Sequence, residues 1–226
     1  MTKKEPAKNK LKSSSAILVI GVLLLAIGGL IFANRYQKTH KIPGLPSAEQ
    51  TVTTDVSEPE ESKPAESAVK NYSVPDDQPR SISIKSVGIS GLIQKVGITK
   101  DNAMAVPSNI HFAGWYVNSV KPGEAGLSII NGHVLGTYTD AIFKQLAKVK
   151  PYDEIEIEFG DKSIRRFEVV ETVALPADKS AARLFTQNPD ILSQLNLITC
   201  TGKFDKTSQT YEDRVIVITK SENLVD

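Results

Sequence analysis

Cysteine and histidine are scarce in this sequence, and net charge is nearly absent. The 226 residues include one cysteine and three histidines, and the formal net charge is +1. One cysteine cannot form a disulfide within the chain, and no group of residues has the spacing of metal ligands, so we expect neither a metal nor another cofactor. Without a strong positive field there is no reason to expect a nucleic-acid partner.

Polar side chains are missing from the stretch Ala16–Ala33, which is 18 residues long. As a helix it would span about 27 Å, close to the hydrocarbon thickness of a bilayer. A buried core helix would carry a polar stripe, and a cleaved signal peptide would end in small residues in an A-x-A pattern, whereas this run ends in LIFANR. We therefore predict a single transmembrane anchor over residues 16–33.

Charges on either side of this stretch predict its orientation. Residues 1–12 hold five lysines and one acidic residue, and an excess of lysine favours the cytoplasmic side. Arg35, Lys38 and Lys41 follow the stretch and weaken the bias. The prediction is a basic cytoplasmic tail over residues 1–15, with the remainder of the chain beyond the anchor on the outer side of the membrane.

The following stretch is rich in proline and in acidic residues. Residues 42–80 contain six prolines and eight acidic residues against three basic ones. Such a segment has too little apolar surface to offset the entropy lost on ordering. We predict a flexible linker over residues 34–80, of which the part from Ile42 would reach roughly 35 Å as a coil.

From Ser81 onward polar and apolar residues alternate, which is typical of strands with one buried face. Seven stretches are predicted as strands: Ser81–Lys85, Gly91–Ile98, Gly126–Ile130, Asp153–Phe159, Arg166–Val173, Leu195–Cys200 and Arg214–Lys220. Gly160-Asp161 suits a hairpin turn. A helix is predicted over Asp140–Val149, and a shorter one over Ser180–Phe185 or Asp190–Leu195. This majority of strands predicts an all-β domain over residues 81–222, a closed or nearly closed barrel.

Cys200 is the first candidate for chemistry. It ends the predicted strand Leu195–Cys200 and is followed by Thr201-Gly202. A free cysteine is often only a small buried hydrophobic residue. A strand end that runs into a glycine-containing loop is, however, where a rigid scaffold presents catalytic groups. Cys200 is therefore a candidate nucleophile.

A cysteine nucleophile needs a proton partner, for which the chain offers three histidines. His40 lies in the juxtamembrane stretch, too far from any core to be held in place. His111 lies in a predicted loop, where a solvated or locally hydrogen-bonded role is expected. His133 follows Gly132 at the close of a predicted strand and is the candidate, although a structural histidine at a barrel rim would show the same pattern.

Arg214 is the third candidate, because it opens a predicted strand. A guanidinium at the mouth of a barrel strand could stabilise a developing oxyanion. The alternative is a surface ion pair with the neighbouring Glu212 or Asp213, which would contribute little.

Taken together, the stretch from Ser81 to Lys220 resembles the sortase family. The matching segments are Met104-Ala105-Val106-Pro107, Gly114-Trp115-Tyr116, Lys121-Pro122-Gly123-Glu124-Ala125-Gly126, Asn131-Gly132-His133-Val134, Leu197-Ile198-Thr199-Cys200 and Tyr211-Glu212-Asp213-Arg214-Val215-Ile216-Val217. His, then Thr-Cys, then Arg at a strand start is the order of that family's catalytic residues. The Gly-Trp-Tyr and Pro-Gly-Glu segments are most similar to class F, and classes A and D share parts of the pattern. The lid motif of class C, an aromatic residue after Asp-Pro, is not matched by Asp76-Asp77-Gln78-Pro79, which implies an open groove.

The resemblance implies a closed eight-stranded β-barrel with one or two short helices, preceded by an N-terminal transmembrane helix. It implies a cysteine transpeptidase with Cys200 as nucleophile, His133 as proton carrier, Arg214 as stabiliser of the oxyanion or substrate, and Thr199 as a contact to the sorting motif. The implied partners are surface proteins with a Leu-Pro-x-Thr-Gly-like signal and an amine acceptor, either a peptidoglycan precursor or a pilin lysine. The implied place is the outer side of the bacterial cell membrane, where surface proteins are anchored to the cell wall. Acidic residues in loops could bind calcium weakly, as in some relatives.

Two other functions are compatible with the same sequence. A cysteine hydrolase would use the same residues and accept water, and a non-catalytic binding module on a membrane stalk would need none of them. The joint presence of His133, Cys200 and Arg214 favours an enzyme over a binding module. Product analysis with and without an added amine separates the transpeptidase from the hydrolase.

Overall fold

The computed structural model describes residues 59–100, 102–207 and 210–222. Its elements are, in chain order, α1 (Glu66–Asn71), β1 (Pro79–Ile84), β2 (Ile89–Val96), β3 (Ala113–Tyr116), β4 (Gly126–Gly132), β5 (Glu154–Phe159), β6 (Ile164–Pro176), α2 (Ala177–Leu184), β7 (Ser193–Asp205) and β8 (Thr210–Ser221). Two short 3₁₀ segments, Lys85–Val87 and Leu146–Lys148, lie on connections.

The strands form a closed barrel in the order β1-β2-β3-β4-β7-β8-β6-β5, and β5 pairs back onto β1. Two neighbouring pairs, β2–β3 and β4–β7, are parallel, and the other pairs are antiparallel. Closure leaves no unpaired sheet edge. The predicted closed eight-stranded barrel with two short helices is therefore confirmed.

Apolar side chains bury both faces of the wall formed by β4, β7, β8 and β6. Leu195, Leu197 and Val217 point into the barrel core, whereas Ile198 and Ile216 belong to a second cluster. Leu184 of α2 lies in that second cluster, so the helix covers part of the outer surface of the wall. Burial on both faces explains why Val215–Ile218 of β8 is an unbroken apolar run and not an alternating one.

The long helix predicted over Asp140–Val149 is wrong. The segment forms turns and the 3₁₀ segment Leu146–Lys148, although Phe143 and Leu146 are fully buried as their spacing suggested. Its backbone donors bond to neighbouring loops: the Ile142 N–H donates to Ile110 O at 3.0 Å and the Phe143 N–H to His133 O at 3.0 Å. These donors are therefore not available to the i→i−4 ladder of an α-helix.

The shorter predicted helix exists as α2, close to the first of its two proposed positions, Ser180–Phe185. The second position, Asp190–Leu195, is wrong, because β7 begins at Ser193. The Gly160-Asp161 turn between β5 and β6 is confirmed. Most strand ends differ from the prediction by a few residues; in particular β7 continues past Cys200 and β8 begins before Arg214. The strand β3 (Ala113–Tyr116) is not among the seven predicted stretches.

The predicted linker over residues 34–80 is described from residue 59. In that part α1 and the start of β1 are formed, and Tyr72 donates its hydroxyl to Ile93 O at 2.6 Å. A flexible linker therefore does not describe residues 59–80. The prediction failed here because composition does not show hydrogen bonds made to distant loops.

The predicted tail over residues 1–15 and the predicted anchor over residues 16–33 lie outside the described residues, as does His40. Within residues 59–100, 102–207 and 210–222, no helix has the length and apolar character needed to cross a membrane.

Candidate active site

Strand register brings His133, Cys200 and Arg214 to one place on the barrel wall. Cys200 of β7 pairs directly with Arg214 of β8, so the two side chains share a face. On the other side of β7 the parallel register with β4 ends at Asn131 and Ile198, and two further residues along each chain place His133 beside Cys200. The three sequence candidates therefore lie on three adjacent strands or strand ends.

The shared face is the outer one. Ile198 and Ile216, two residues from Cys200 and Arg214, belong to the outer cluster. Asn131 and His133 both reach outward to one loop, since Asn131 Nδ2 donates to Ala105 O at 2.7 Å and His133 Nε2 bonds Pro107 O at 3.0 Å. The site thus lies on the outer surface of the barrel and not in a cavity within it, where the resemblance implies an open groove.

Cys200 is half-buried, and its thiol is free. Directly after it β7 bulges: the pairing with β8 shifts between Thr201 and Phe204, and Gly202 adopts φ +81. A Cβ at Gly202 would lie 2.8 Å from Asp213 Oδ2. The bulge bends the strand directly after the candidate nucleophile Cys200, and bulges are frequent next to active sites.

Burial raises the pKa of the Cys200 thiol, and the positive charge of Arg214 opposes that rise. Desolvation disfavours the thiolate, whereas a nearby cation favours it. Burial thus favours the neutral thiol of Cys200, and the charge of Arg214 favours its thiolate.

Arg214 is held by its own strand. One guanidinium nitrogen donates to Tyr211 O at 2.8 Å and to Asp213 O at 2.9 Å, and the other donates to Thr210 Oγ1 at 3.0 Å. Among the described residues it makes no ion pair with the Asp213 or Glu212 carboxylate. The surface ion pair considered as the alternative is therefore not formed with these two neighbours.

His133 is half-buried, and burial lowers its pKa, with the hydrogen bond to Pro107 O acting in the opposite direction. Because a carbonyl oxygen only accepts, Nε2 must carry the hydrogen in this bond. Nδ1 is then the nitrogen that can gain or lose a proton. Pro107 orients the imidazole, a role that sequence reasoning missed because every residue has a carbonyl group.

Thr199 is placed differently from the expected contact to a sorting motif. It faces inward, is 3% exposed, and its hydroxyl donates to Gly132 O at 2.8 Å. Gly132 directly precedes His133. The side chain therefore links β7 to the end of β4 and holds the backbone that carries the histidine.

Exposed apolar side chains border the groove. Phe185, just after α2, is 51% exposed and makes an edge-on contact with Tyr116 at 6.1 Å between ring centroids, and Val106 is 46% exposed. Leu175 and Met104 pack on the outer cluster beside them. This surface could accept apolar side chains of an extended peptide.

Two other features lie away from the groove. His111 Nε2 bonds Glu61 O at 3.0 Å, in line with the locally hydrogen-bonded role expected for it. A cavity of about 540 Å³ lies between Lys63–Val69 and the β1–β2 side of the barrel, and none of the three candidates lines it. Within the described ranges no three His, Cys, Asp or Glu side chains are grouped as metal ligands would be.

The sequence matches the sortase domain family over residues 82–222. This match covers more than half of the chain. The chain belongs to the sortase family. Sortases are cysteine transpeptidases, and a single half-buried cysteine beside a histidine and an arginine suits that chemistry.

Solved sortase structures share the fold. Sortase A from Corynebacterium diphtheriae aligns with a TM-score of 0.51 at 19% identity, covering 88% of this chain and 86% of that chain. A lid mutant of the same enzyme aligns with a TM-score of 0.50 at 20% identity, covering 70% and 76%. A sortase D5 transpeptidase from Clostridium perfringens is 25% identical with a TM-score of 0.48, covering 70% and 89%. No curated protein matches the chain.

The charge of Arg214 predicts a shift in the thiol titration. Because Cys200 is the only cysteine, its alkylation rate as a function of pH reports this thiol alone. We expect the midpoint in the wild type to lie above that of an unperturbed cysteine, and Arg214→Gln to raise it further, since the cation that lowers the pKa is lost.

The matched control is Arg166→Gln, which removes an exposed arginine of β6 paired with Glu154 and Glu156. It should leave the midpoint of the thiol titration unchanged. An Arg214→Gln midpoint equal to that of the wild type would show that the guanidinium does not act on the thiol.

Proposed function

We propose that this sortase cleaves a Leu-Pro-x-Thr-Gly-like sorting motif between Thr and Gly and transfers the acyl group to an amine. The observation that carries the proposal is the meeting of His133, Cys200 and Arg214 on the outer face of adjacent strands. The thiolate of Cys200 attacks the threonine carbonyl carbon, and the carbon–nitrogen bond to glycine breaks to leave a thioester. An amine then attacks the thioester, and the thiolate leaves.

His133 and Arg214 have separate tasks in this scheme. Cationic His133 gives a proton to the departing glycine amine and later takes one from the attacking amine. Arg214 stabilises the negative oxygen of each tetrahedral intermediate, for which it is already oriented by three hydrogen bonds. Thr199 acts through Gly132 on the position of His133.

The apolar surface beside Cys200 supports an extended, partly apolar peptide as substrate. Val106 and Phe185 are apolar and exposed beside the partly buried Met104, Tyr116 and Leu175, and apolar surface of this kind can mark a ligand-binding groove. The leucine and proline of the motif would pack there, while its Thr-Gly bond reaches the thiol.

The proposed chemistry needs the thiolate and the imidazolium at the same time. With ordinary pKa values that combination is about one per cent of the enzyme near neutral pH. Burial in this site raises one pKa and lowers the other, so the reactive fraction is smaller still. Turnover is slow, which is tolerable where enzyme and substrates are tethered to one surface at high effective concentration.

The proposed acceptor is an amine of a peptidoglycan precursor, and the proposed role is the anchoring of surface proteins to the cell wall. A pilus polymerase would have to hold a folded partner with its lysine presented, and no extra insertion interrupts the strands and loops of the described barrel. The similarity of the Gly-Trp-Tyr and Pro-Gly-Glu segments to class F supports the same role.

The proposed location is the bacterial cell membrane, with a single span and the barrel outside. The apolar stretch Ala16–Ala33 and the lysines before it support this location. Protease added to intact cells should cut residues 81–226, and the chain should stay with the membrane after high-salt washing. Recovery of a soluble form starting near Asn34 would contradict the proposal.

The function is tested by the fate of a peptide with the Leu-Pro-x-Thr-Gly motif. Wild-type chain should join its acyl part to oligoglycine or to a precursor stem-peptide amine more efficiently than to a folded pilin domain. Cys200→Ala should form no product while keeping the thermal unfolding midpoint, because alanine fits where cysteine does. Mass spectrometry of the products, with the amines in competition, makes the measurement.

Retained cleavage by Cys200→Ala would contradict the assignment of the nucleophile. Cleavage by the wild type with water as the only acceptor would assign the chain to the cysteine hydrolases. Binding of the peptide without any cleavage would show that the chain is a non-catalytic surface binding module.

A further inference from the structure

The segment Pro59–Ser62, here called the N-terminal clamp, is bound to the loop that leads away from Pro107. The Glu60 N–H donates to Ser108 O at 2.7 Å, and the Ile110 N–H donates to Glu60 O at 3.0 Å. Asn109 Nδ2 donates to Ser62 O at 2.9 Å. The clamp thus adds a short parallel bridge to this loop, although it lies about fifty residues earlier in the chain.

The same clamp also holds a second loop through the side chain of Glu61. Its carboxylate accepts the Thr137 N–H at 2.5 Å and the Tyr138 N–H at 3.2 Å. The hydrogen bonds from Thr137 hold the pKa of Glu61 below its ordinary value, so the group is ionised at neutral pH. Gly136 leaves room for the contact, because a Cβ there would lie 2.8 Å from the Glu61 carboxyl carbon.

Both loops held by the clamp also hold His133. The first contains Pro107, whose carbonyl bonds the imidazole Nε2 at 3.0 Å. The second begins directly after His133 and is closed by the Gly136 N–H bonding Thr139 O at 2.8 Å. Neither loop is part of a barrel strand. The hydrogen bonds between barrel strands alone therefore do not fix the distance between the two loops.

We infer that Glu61 is a positioning residue for His133, joining the loop that orients its imidazole to the loop that continues its backbone. The inference rests on the proposed function, in which His133 carries protons. It also makes the N-terminal clamp, which precedes the barrel in the chain, part of the working enzyme. A displacement of a catalytic group by about 1 Å can lower a rate by a hundredfold, even from a distant change.

The test uses the full chain with Glu61→Ala, Glu61→Gln and the control Glu66→Ala. Glu66 lies in the first turn of α1, and its carboxylate has no hydrogen-bond partner among the described residues. The glutamine variant keeps one oxygen acceptor but faces the second N–H with an amide NH₂ group. A further variant, Gly136→Ala, would place a Cβ 2.6 Å from Ile110 Cδ1 and 2.8 Å from the Glu61 carboxyl carbon. It therefore displaces the Glu61 carboxylate, together with the Ile110 side chain of the first loop, while leaving Glu61 in the sequence.

Two readouts are measured on each variant. The first is kcat and KM for transfer of the sorting-motif acyl group to oligoglycine. The second is the NMR titration of the His133 ring, assigned by the signal lost in His133→Gln. We expect Glu61→Ala to lower kcat by about tenfold or more with little change in KM, and to move the ring signals and their titration midpoint.

The other variants complete the expected pattern. Glu61→Gln should lie between wild type and Glu61→Ala, Gly136→Ala should resemble Glu61→Ala, and Glu66→Ala should match the wild type. Unchanged kcat and ring signals in Glu61→Ala would overturn the inference. The inference would also be overturned if kcat fell only in proportion to the folded fraction of the protein while the His133 ring signals did not move. If the wild type transfers nothing, the proposed function fails, and the ring signals decide the inference alone.

Discussion

The pairing of β7 with β4 on one side and β8 on the other is the constraint on which the candidate site depends. Leu197 is paired with Ile130 and with Val217 at the same time, and both faces of the strand are buried there. A slip of one residue would turn Cys200 into the core and Thr199 into the groove. Two fixed registers prevent that slip; they keep Cys200 and Arg214 on one outer face and end β4 directly before His133.

Burial of the site has two opposite effects on the proposed chemistry. It favours stabilisation of the oxyanion, and it lowers the population of the reactive protonation state. In the proposed mechanism, partial shielding from water would strengthen the interaction of Arg214 with a developing oxyanion and limit hydrolysis of the thioester. The same shielding raises the pKa of Cys200 and lowers the pKa of His133. Both shifts disfavour the thiolate–imidazolium pair that the proposed chemistry needs. Arg214 for the thiol and Pro107 for the imidazole each offset part of this effect, which explains why both are held in place.

Sequence patterns predicted the barrel because alternation and β-branched runs report burial in a sheet directly. Strand-end positions made Cys200, His133 and Arg214 candidates one by one, and only the order of motifs shared with the sortase family singled them out as a set. The helix over Asp140–Val149 failed because the spacing of Phe143 and Leu146 fits a helix as well as the turns that bury them. Pro107 and Glu61 could not be found, since one acts through a backbone carbonyl and the other binds backbone amides 76 and 77 residues away.

The central claim is that Cys200 forms a thioester that an amine resolves, and an intact-mass measurement tests it most directly. Full-length chain is mixed with a Leu-Pro-x-Thr-Gly peptide, quenched in acid, and mapped after proteolysis. The account predicts an added mass equal to the peptide up to its threonine, on the fragment that contains Cys200. That added mass should disappear on addition of oligoglycine as the ligated product forms. Consumption of the peptide with no adduct on Cys200, or with an adduct on another residue, would contradict the account.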